Sequence, residues 1–149
     1  MKYSEAKPGR IFVIRLEDGE ILHEVLEKFA ADRGVERAYL IAVGGAGTGS
    51  ALVVGPQDPD ARPVPPLTRV LDGVHEIAGV GTLFPGSDGR PLLHIHLACG
   101  REGKTVTGCG RTGVKVWQVA EVIMVELTGT DARRKLDPET GFELLQPGG

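Results

Sequence analysis

The sequence predicts an α+β fold, in which a central, mainly antiparallel β-sheet is flanked by one main helix. Three observations predict it. One segment near the start carries apolar residues at helical spacing, the later apolar segments are short and rich in β-branched residues, and glycine- and proline-rich turns separate them. A length of 149 residues, with 41% hydrophobic and 25% charged residues, suits a single domain with its own core. We therefore expect one domain over residues 1–149.

The first third of the sequence predicts a strand, a helix and a second strand. Residues 10–16 (RIFVIRL) predict the first strand. A helix follows, with Asp18 as its expected N-cap and Gly34 as its C-terminal stop. Residues 37–43 (RAYLIAV) predict the second strand. The apolar face of the helix is formed by residues at helical spacing, namely Leu22, Val25, Leu26 and Phe29.

The glycine-rich segment 44–49 (GGAGTG) invites comparison with phosphate-binding loops, but it does not match them. A GxGxxG frame beginning at Gly45 or Gly47 lacks the third glycine, and a P-loop frame lacks the lysine after Gly49. A strand-like segment follows, whereas both motifs require a helix N-terminus. We interpret this segment as a bend or bulge between strands.

The rest of the chain predicts strands and turns. The proline-rich segment 56–66 predicts a surface loop, and Trp117 is expected in the core. The turn 85–91 contains Gly-Arg-Pro, but Asp88 occupies the place of the first arginine of an AT-hook, so a turn is the better interpretation. Further strands are predicted at 68–71, 74–84, 92–99 and 104–109, and 114–127 predicts one long or two shorter strands. Residues 136–145 predict a short polar turn and a closing strand.

Charge and composition restrict the function classes. The net charge of −3 disfavours autonomous binding to nucleic acid, which usually needs a basic face. The basic run 133–135 is expected to be a solvated surface. No apolar run approaches the roughly 20 residues of a membrane span, and the N-terminal segment lacks the apolar core of a signal peptide. We therefore expect a cytoplasmic protein with no membrane partner.

The pair His94 and His96 is the main candidate for a functional site. Successive side chains of a strand alternate between its faces, so the two imidazoles of a His-X-His pair point the same way. Two neutral imidazoles directed at one point form half of a metal site. The alternative without a metal is a polar patch at a subunit interface, with both histidines hydrogen-bonded.

A hairpin brings Cys109 to the same patch. If residues 100–103 (GREG) form a four-residue turn, Cys99 lies opposite Lys104, and Cys109 lies opposite His94. Directly opposed residues share a face, with Cβ atoms about 5 Å apart. By the same alternation Cys99 points to the other face, which disfavours a disulfide. A register slip of one residue would turn Cys109 away.

Three protein ligands would leave one coordination position open, which is typical of catalytic zinc. A neighbouring subunit could instead fill that position and make the site structural. Three polar residues are candidates for contacting the metal ligands or for acting as acid or base, namely Glu76, Arg111 and Glu121. Each has a simpler interpretation as an interface or surface residue.

Several segments, in this order, together resemble the PPC (plants and prokaryotes conserved) domain, a family often described as DNA-binding. They are residues 19–47 (GEILHEVLEKFAADRGVERAYLIAVGGAG), 75–84 (HEIAGVGTLF), 89–100 (GRPLLHIHLACG), 120–129 (AEVIMVELTG) and 134–145 (RKLDPETGFELL). The resemblance implies a largely antiparallel seven-stranded sheet and a homotrimer. It also implies a metal, usually zinc, held by the His-X-His strand and a later histidine. That position is Cys109 here, and thiolate is also a good zinc ligand.

Two function classes follow from the residues and the resemblance. The first is a non-enzymatic homotrimeric module, DNA-associated or regulatory, with zinc or another divalent transition metal at His94, His96 and Cys109. The second is a small zinc-dependent lyase or hydrolase acting on an anionic metabolite. Plant members of the family carry AT-hooks for DNA contact, and this sequence has none, which weakens the DNA-binding expectation.

Overall fold

The computed structural model describes residues 1–148 and contains ten strands and one α-helix. In chain order the elements are β1 (Lys7–Glu17), α1 (Leu22–Arg33), β2 (Ala38–Ala46), β3 (Ala51–Pro56), β4 (Pro66–Val70), β5 (His75–Pro85), β6 (Pro91–Arg101), β7 (Lys104–Cys109), a 3₁₀ turn (Gly110–Thr112), β8 (Val116–Thr128), β9 (Arg133–Leu136) and β10 (Glu143–Gln146).

Eight strands form one antiparallel sheet, in the order β1-β8-β2-β5-β6-β7-β3-β4. The last two strands, β9 and β10, pair only with each other among the described residues. The predicted fold class, a mainly antiparallel sheet with one main helix, is confirmed. The strand count differs slightly, since the sheet has eight strands where about seven were expected. The closing segment also forms a separate two-stranded hairpin.

Helix α1 begins later than the sequence predicts. Asp18 was expected to cap it, but the helix begins at Leu22, after Ile21, without a side-chain cap. The Asp18 carboxylate instead accepts a hydrogen bond of 2.7 Å from the backbone N–H of Gln118, so it ties the end of β1 to β8. The stop at Gly34 is confirmed, because Gly34 adopts a left-handed conformation with φ of 64°. No helix within residues 1–148 has the length and apolar character needed to cross a membrane.

The two faces of the sheet have different environments. Helix α1 packs its buried side chains, including Leu22 and Leu26, on the inner face. Alternate residues of the central strands complete this core, among them Leu40, Ile95 and Leu97. The outer face carries a group of exposed apolar side chains on three strands, β1, β2 and β5, with β8 between the first two. They are here called the apolar face: Ile11, Val13, Tyr39, Ile41, Val43 and Val80.

The glycine-rich segment forms the end of β2 and the bend after it, as interpreted from the sequence. Gly44 lies opposite Ala120 and Gly45 opposite Trp117, so two residues of β8 bulge out between these pairs. Trp117 was expected in the core, but 42% of it is exposed. The bulge at Gln118, whose φ is 61°, locally breaks the alternation on which the core prediction depended.

Arg10 and Glu126 connect β1 to β8 through a bidentate ion pair. The Arg10 Nε and Nη2 atoms lie 2.8 and 2.7 Å from the two carboxylate oxygens of Glu126, and the Arg10 backbone N–H also donates to that carboxylate. These hydrogen bonds lower the pKa of Glu126 from its ordinary value of 4.5 to about 2. The ionised form of Glu126 therefore stabilises the folded chain.

The substitution Glu126→Gln is expected to lower the free energy of unfolding at pH 7 by about 1–2 kcal/mol. The folded pKa of Glu126 is depressed, so its stabilisation is complete above the ordinary value near 4.5 and disappears as the pH falls toward 2. Chemical denaturation of both proteins between pH 7 and pH 2 would measure this. Glu17→Gln, at the exposed pair with Arg15, is the control and should change little. A stability difference that does not depend on pH would contradict the assignment.

Candidate metal centre

His94 and His96 lie on β6, on the outer face of the sheet. Both side chains are exposed, while the residues between and beside them, Leu93, Ile95 and Leu97, are buried in the core. This alternation results from a regular strand, in which successive side chains point to opposite faces of the sheet. The predicted common orientation of the two imidazoles is therefore confirmed.

The β6–β7 hairpin has a register different from the one predicted. Arg101 pairs with Lys104, so the turn contains two residues, Glu102 and Gly103, rather than four. Both have positive φ, 51° and 75°, as a tight hairpin turn requires. Cys109 consequently lies opposite His96, and the predicted pairing with His94 is wrong. Because the shift moves each partner by two positions, Cys109 still points to the same face as both histidines.

The three donor groups lie close together. The Nε2 atoms of His94 and His96 are 3.2 Å apart. One ring nitrogen of each histidine and the Cys109 Sγ all lie within 4.8 Å of one another. Two nitrogens bound to one tetrahedral zinc ion at its usual bond length would be about 3.3 Å apart, and nitrogen and sulfur about 3.6 Å. The imidazoles already match this spacing, and the sulfur needs a shift of about 1 Å at most. The residues fit a zinc ion.

The protonation of the site also suits a metal. Burial lowers the pKa of His94, and the nearby positive groups Arg134, His96 and Arg111 lower it further. A neutral imidazole is the form that binds metals. Cys99 lies on the core side of β6, where burial raises the pKa of its thiol to about 11. Both cysteines are free, as expected from their opposite faces, and only Cys109 belongs to the site.

The structure separates the three predicted surrounding residues. Arg111 lies in the 3₁₀ turn directly after Cys109, and its charge acts on His94. Glu76 is on the same face as His96, but it is four residues along β5 from the partner of His96, about 13 Å away. Glu121 is on β8, three strands from β6, also about 14 Å away. Of these three residues, only Arg111 is near the candidate ligands within one chain.

Arg134 is a neighbour of the site that the sequence did not reveal. It was assigned with the run 133–135 to a solvated surface, but only 5% of it is exposed. Its Nη2 atom donates a 2.9 Å hydrogen bond to the hydroxyl of Thr82, which lies directly opposite His94. Within β9, Arg133 and Lys135 are exposed and Arg134 is buried, an alternation that the uniformly basic run does not reveal. The predicted strands did not include these residues.

With the fold and the site described, the chain can be compared with known proteins. Residues 3–128 match the Plants and Prokaryotes Conserved (PCC) domain, which is also abbreviated PPC. The chain belongs to this family. The matched range contains His94, His96, Cys109 and Arg111, whereas β9 and Arg134 lie beyond it.

Solved structures of other proteins share the fold of this PCC domain. A metal-containing protein from Archaeoglobus fulgidus is 26% identical, with a TM-score of 0.84 over 98% of this chain and 99% of that one. A plant- and prokaryote-conserved protein from Pyrococcus horikoshii is 24% identical, with a TM-score of 0.82 over the same shares. A Ralstonia eutropha structure, described as a "putative DNA-binding protein", is 21% identical, with a TM-score of 0.69 over 90% and 89% of the chains.

One curated protein also resembles the chain. The bifunctional protein GlmU from a Synechococcus strain is 26% identical over 134 residues. The similar region covers 89% of this chain but only 20% of that protein. The likeness therefore concerns one part of a much longer chain.

Proposed function

We propose that this PCC domain binds zinc through His94, His96 and Cys109 and acts as a non-enzymatic homotrimeric module over residues 1–149. The observation that carries the proposal is the convergence of the three donor atoms within 4.8 Å of one another. Overall likeness to a protein described as metal-containing, at 26% identity, supports it.

The donor set favours zinc over other common metals. Imidazole nitrogen and thiolate sulfur suit zinc, while magnesium and calcium prefer oxygen ligands. The sulfur comes from the strand end at Cys109 and the nitrogens from the middle of β6, so the metal would join β6 to β7. In a non-enzymatic module, zinc would stabilise this hairpin or make assembly sensitive to metal supply.

The apolar face supports the homotrimer. Strands β1, β2 and β5 expose it, and α1 covers only the opposite face of the sheet. Exposed apolar side chains that are contiguous rather than scattered mark association surfaces. A second copy of this chain is the proposed occupant, in agreement with the trimer that the family resemblance implies. Since Val80 lies directly opposite His96, the metal centre would lie at the edge of the subunit interface.

A regulatory or DNA-associated role is proposed on weaker support. The supporting observation is the description of the Ralstonia eutropha structure, and the opposing ones are the net charge of −3 and the lack of an AT-hook. A band-shift titration with duplex DNA tests this part separately. Failure to shift DNA even at low salt would remove DNA as a partner, because low salt strengthens phosphate contacts. A cytoplasmic location is supported by the two free cysteines.

A second candidate function is a zinc-dependent lyase or hydrolase acting on an anionic metabolite. The specific observation that favours it is the combination of only three protein ligands with two nearby guanidinium groups, Arg111 and Arg134. Zinc with an open position activates a bound water or polarises an oxygen of a bound molecule. Within one chain the acidic candidates Glu76 and Glu121 lie too far away to serve as its base.

Metal analysis of the purified protein tests the proposal. We expect about one zinc per chain in the wild type, because three ligands of this type suffice to hold the ion. His94→Ala removes one of them and is expected to reduce the bound zinc to a small fraction after dialysis. His23→Ala, on α1 outside the cluster, is the matched control and should retain zinc. Equal, negligible zinc in all three proteins would refute the metal site.

A further inference from the structure

Arg134 is a buried cation with unused hydrogen-bonding capacity. Only 5% of the residue is exposed. Its Nη2 atom donates to Thr82 at 2.9 Å, and its Nη1 atom lies at a long 3.4 Å from the backbone oxygen of Glu143. The Nε atom is buried and has no hydrogen-bond partner. A guanidinium group has five N–H donors, so most of its donors are unassigned.

This arginine also lacks a counter-ion in the described part of the chain. Within residues 1–148, no carboxylate oxygen lies within 4.0 Å of its side-chain nitrogens. Glu143, the acid whose charge acts on Arg134, directs its carboxylate to the hydroxyl of Ser87 instead. Burying a cation is costly unless it is both paired and hydrogen-bonded. A buried, unpaired donor on such a group is a position at which an ion or a water would bind.

The guanidinium lies beside the candidate metal ligands. Thr82, which accepts the Arg134 hydrogen bond, is the direct cross-strand partner of His94. Cross-strand partners have Cβ atoms about 5 Å apart. Arg111 lies in the 3₁₀ turn that directly follows β7, two residues after Cys109. Two guanidinium groups therefore lie near the three donor atoms.

The local charge strengthens the case for an anion. A zinc ion carries two positive charges, and the Cys109 thiolate would neutralise only one of them. Arg111 and Arg134 raise this excess of positive charge. No ion pair in the described chain involves either arginine. An oxyanion that binds the open metal position and both arginines would offset this excess.

We propose that Arg134 and Arg111 form a binding site for a small oxyanion, the carboxylate or phosphate group of a metabolite, next to the metal. The inference rests on the proposed function, because the open metal position supplies one of the contacts. Arginine is suited to this role, since its planar fork matches both groups. The depth of Arg134 favours a small molecule over the phosphate backbone of DNA.

NMR titration of the zinc-loaded protein tests this inference. The buried Arg134 Nε–H is the site-specific probe, and inorganic phosphate and acetate are the titrants. We expect its signal to shift in a saturable way with one or both anions. The anion that binds more tightly identifies the chemical class of the ligand as phosphate or carboxylate. Arg134→Met should lower the affinity for the anion by about tenfold or more, because it removes a charged hydrogen bond. The chemical shifts of His94 and His96 measure binding in this variant. Arg133→Met, its exposed neighbour on β9, should bind as the wild type does.

The outcomes separate this inference from the metal proposal. Zinc binding without a saturable anion shift, or equal anion binding in Arg134→Met and Arg133→Met, overturns the anion site and leaves the metal site intact. If no zinc binds, the metal proposal fails, and the same titration of the metal-free protein decides the anion site on its own. Arg134→Lys keeps the charge but loses the fork, so it provides a second test if Arg134→Met does not fold. Wild-type affinity in the lysine variant would contradict bidentate recognition.

Discussion

The substitution Val80→Lys is expected to convert the proposed homotrimer into monomers. Val80 is 65% exposed on β5 and lies within the apolar face, between Ile41 on one side and His96 on the other. In a trimer with three equivalent interfaces, one substitution places three lysines in apolar contacts. Burying an unpaired ammonium group costs several kcal/mol, which weakens every subunit contact that contains Val80. Light scattering at several protein concentrations would measure the mass directly.

A closely matched control is available on the same sheet. Val70 is also 65% exposed, but it lies on the edge strand β4, at the far end of the strand order. Val70→Lys should keep the wild-type mass. A wild-type protein with the mass of a single chain would contradict the trimer, and an intact trimer of Val80→Lys would place the interface elsewhere. Lysine is chosen over glutamate because a carboxylate next to His96 could itself bind the metal.

The cluster of His94, His96 and Cys109 was predictable from the sequence because it depends on the period of a strand rather than on an accurate register. The predicted four-residue turn was wrong, and the pairing of Cys109 moved from His94 to His96. A shift of two residues preserves the face on which each side chain lies. Residue type and alternation were therefore sufficient to bring the three donors together, although not to give the right pairs.

Features that depend on long-range packing were not predictable in this way. Arg134 is buried because β9 lies against β5, more than 50 residues earlier in the chain, and a basic run gives no sign of such a contact. The predicted start of the helix was wrong for a related reason. Asp18 has the right residue type for an N-cap, but its carboxylate binds the backbone of Gln118, one hundred residues away. Tertiary contacts outweighed local propensity at both positions.

Gly44→Ala is expected to destabilise the fold more than the other substitutions considered. Gly44 has φ of 146°, a conformation that residues with a side chain rarely adopt. A Cβ atom built there would lie only 2.4 Å from the backbone oxygen of Val119 and 2.6 Å from the Cα of Ala120. Both contacts are with the backbone of β8, in the middle of the sheet, so neither can be relieved by a side-chain rotation. Backbone strain and overpacking together should cost about 3 kcal/mol or more.

Gly47→Ala is the matched control from the same glycine-rich segment. Its φ is not in the positive range, and the nearest atom to an added Cβ, the backbone oxygen of Lys115, is 3.5 Å away. This is ordinary van der Waals contact, so the change in stability should stay within about 0.5 kcal/mol. Urea denaturation at one fixed protein concentration would compare the two, since assembly makes stability depend on concentration. Similar losses for both would mean that the segment tolerates no side chain for reasons other than the approach of β8. A large loss confined to Gly44→Ala would assign Gly44 a structural role, in agreement with the interpretation of this segment as a bend or bulge between strands.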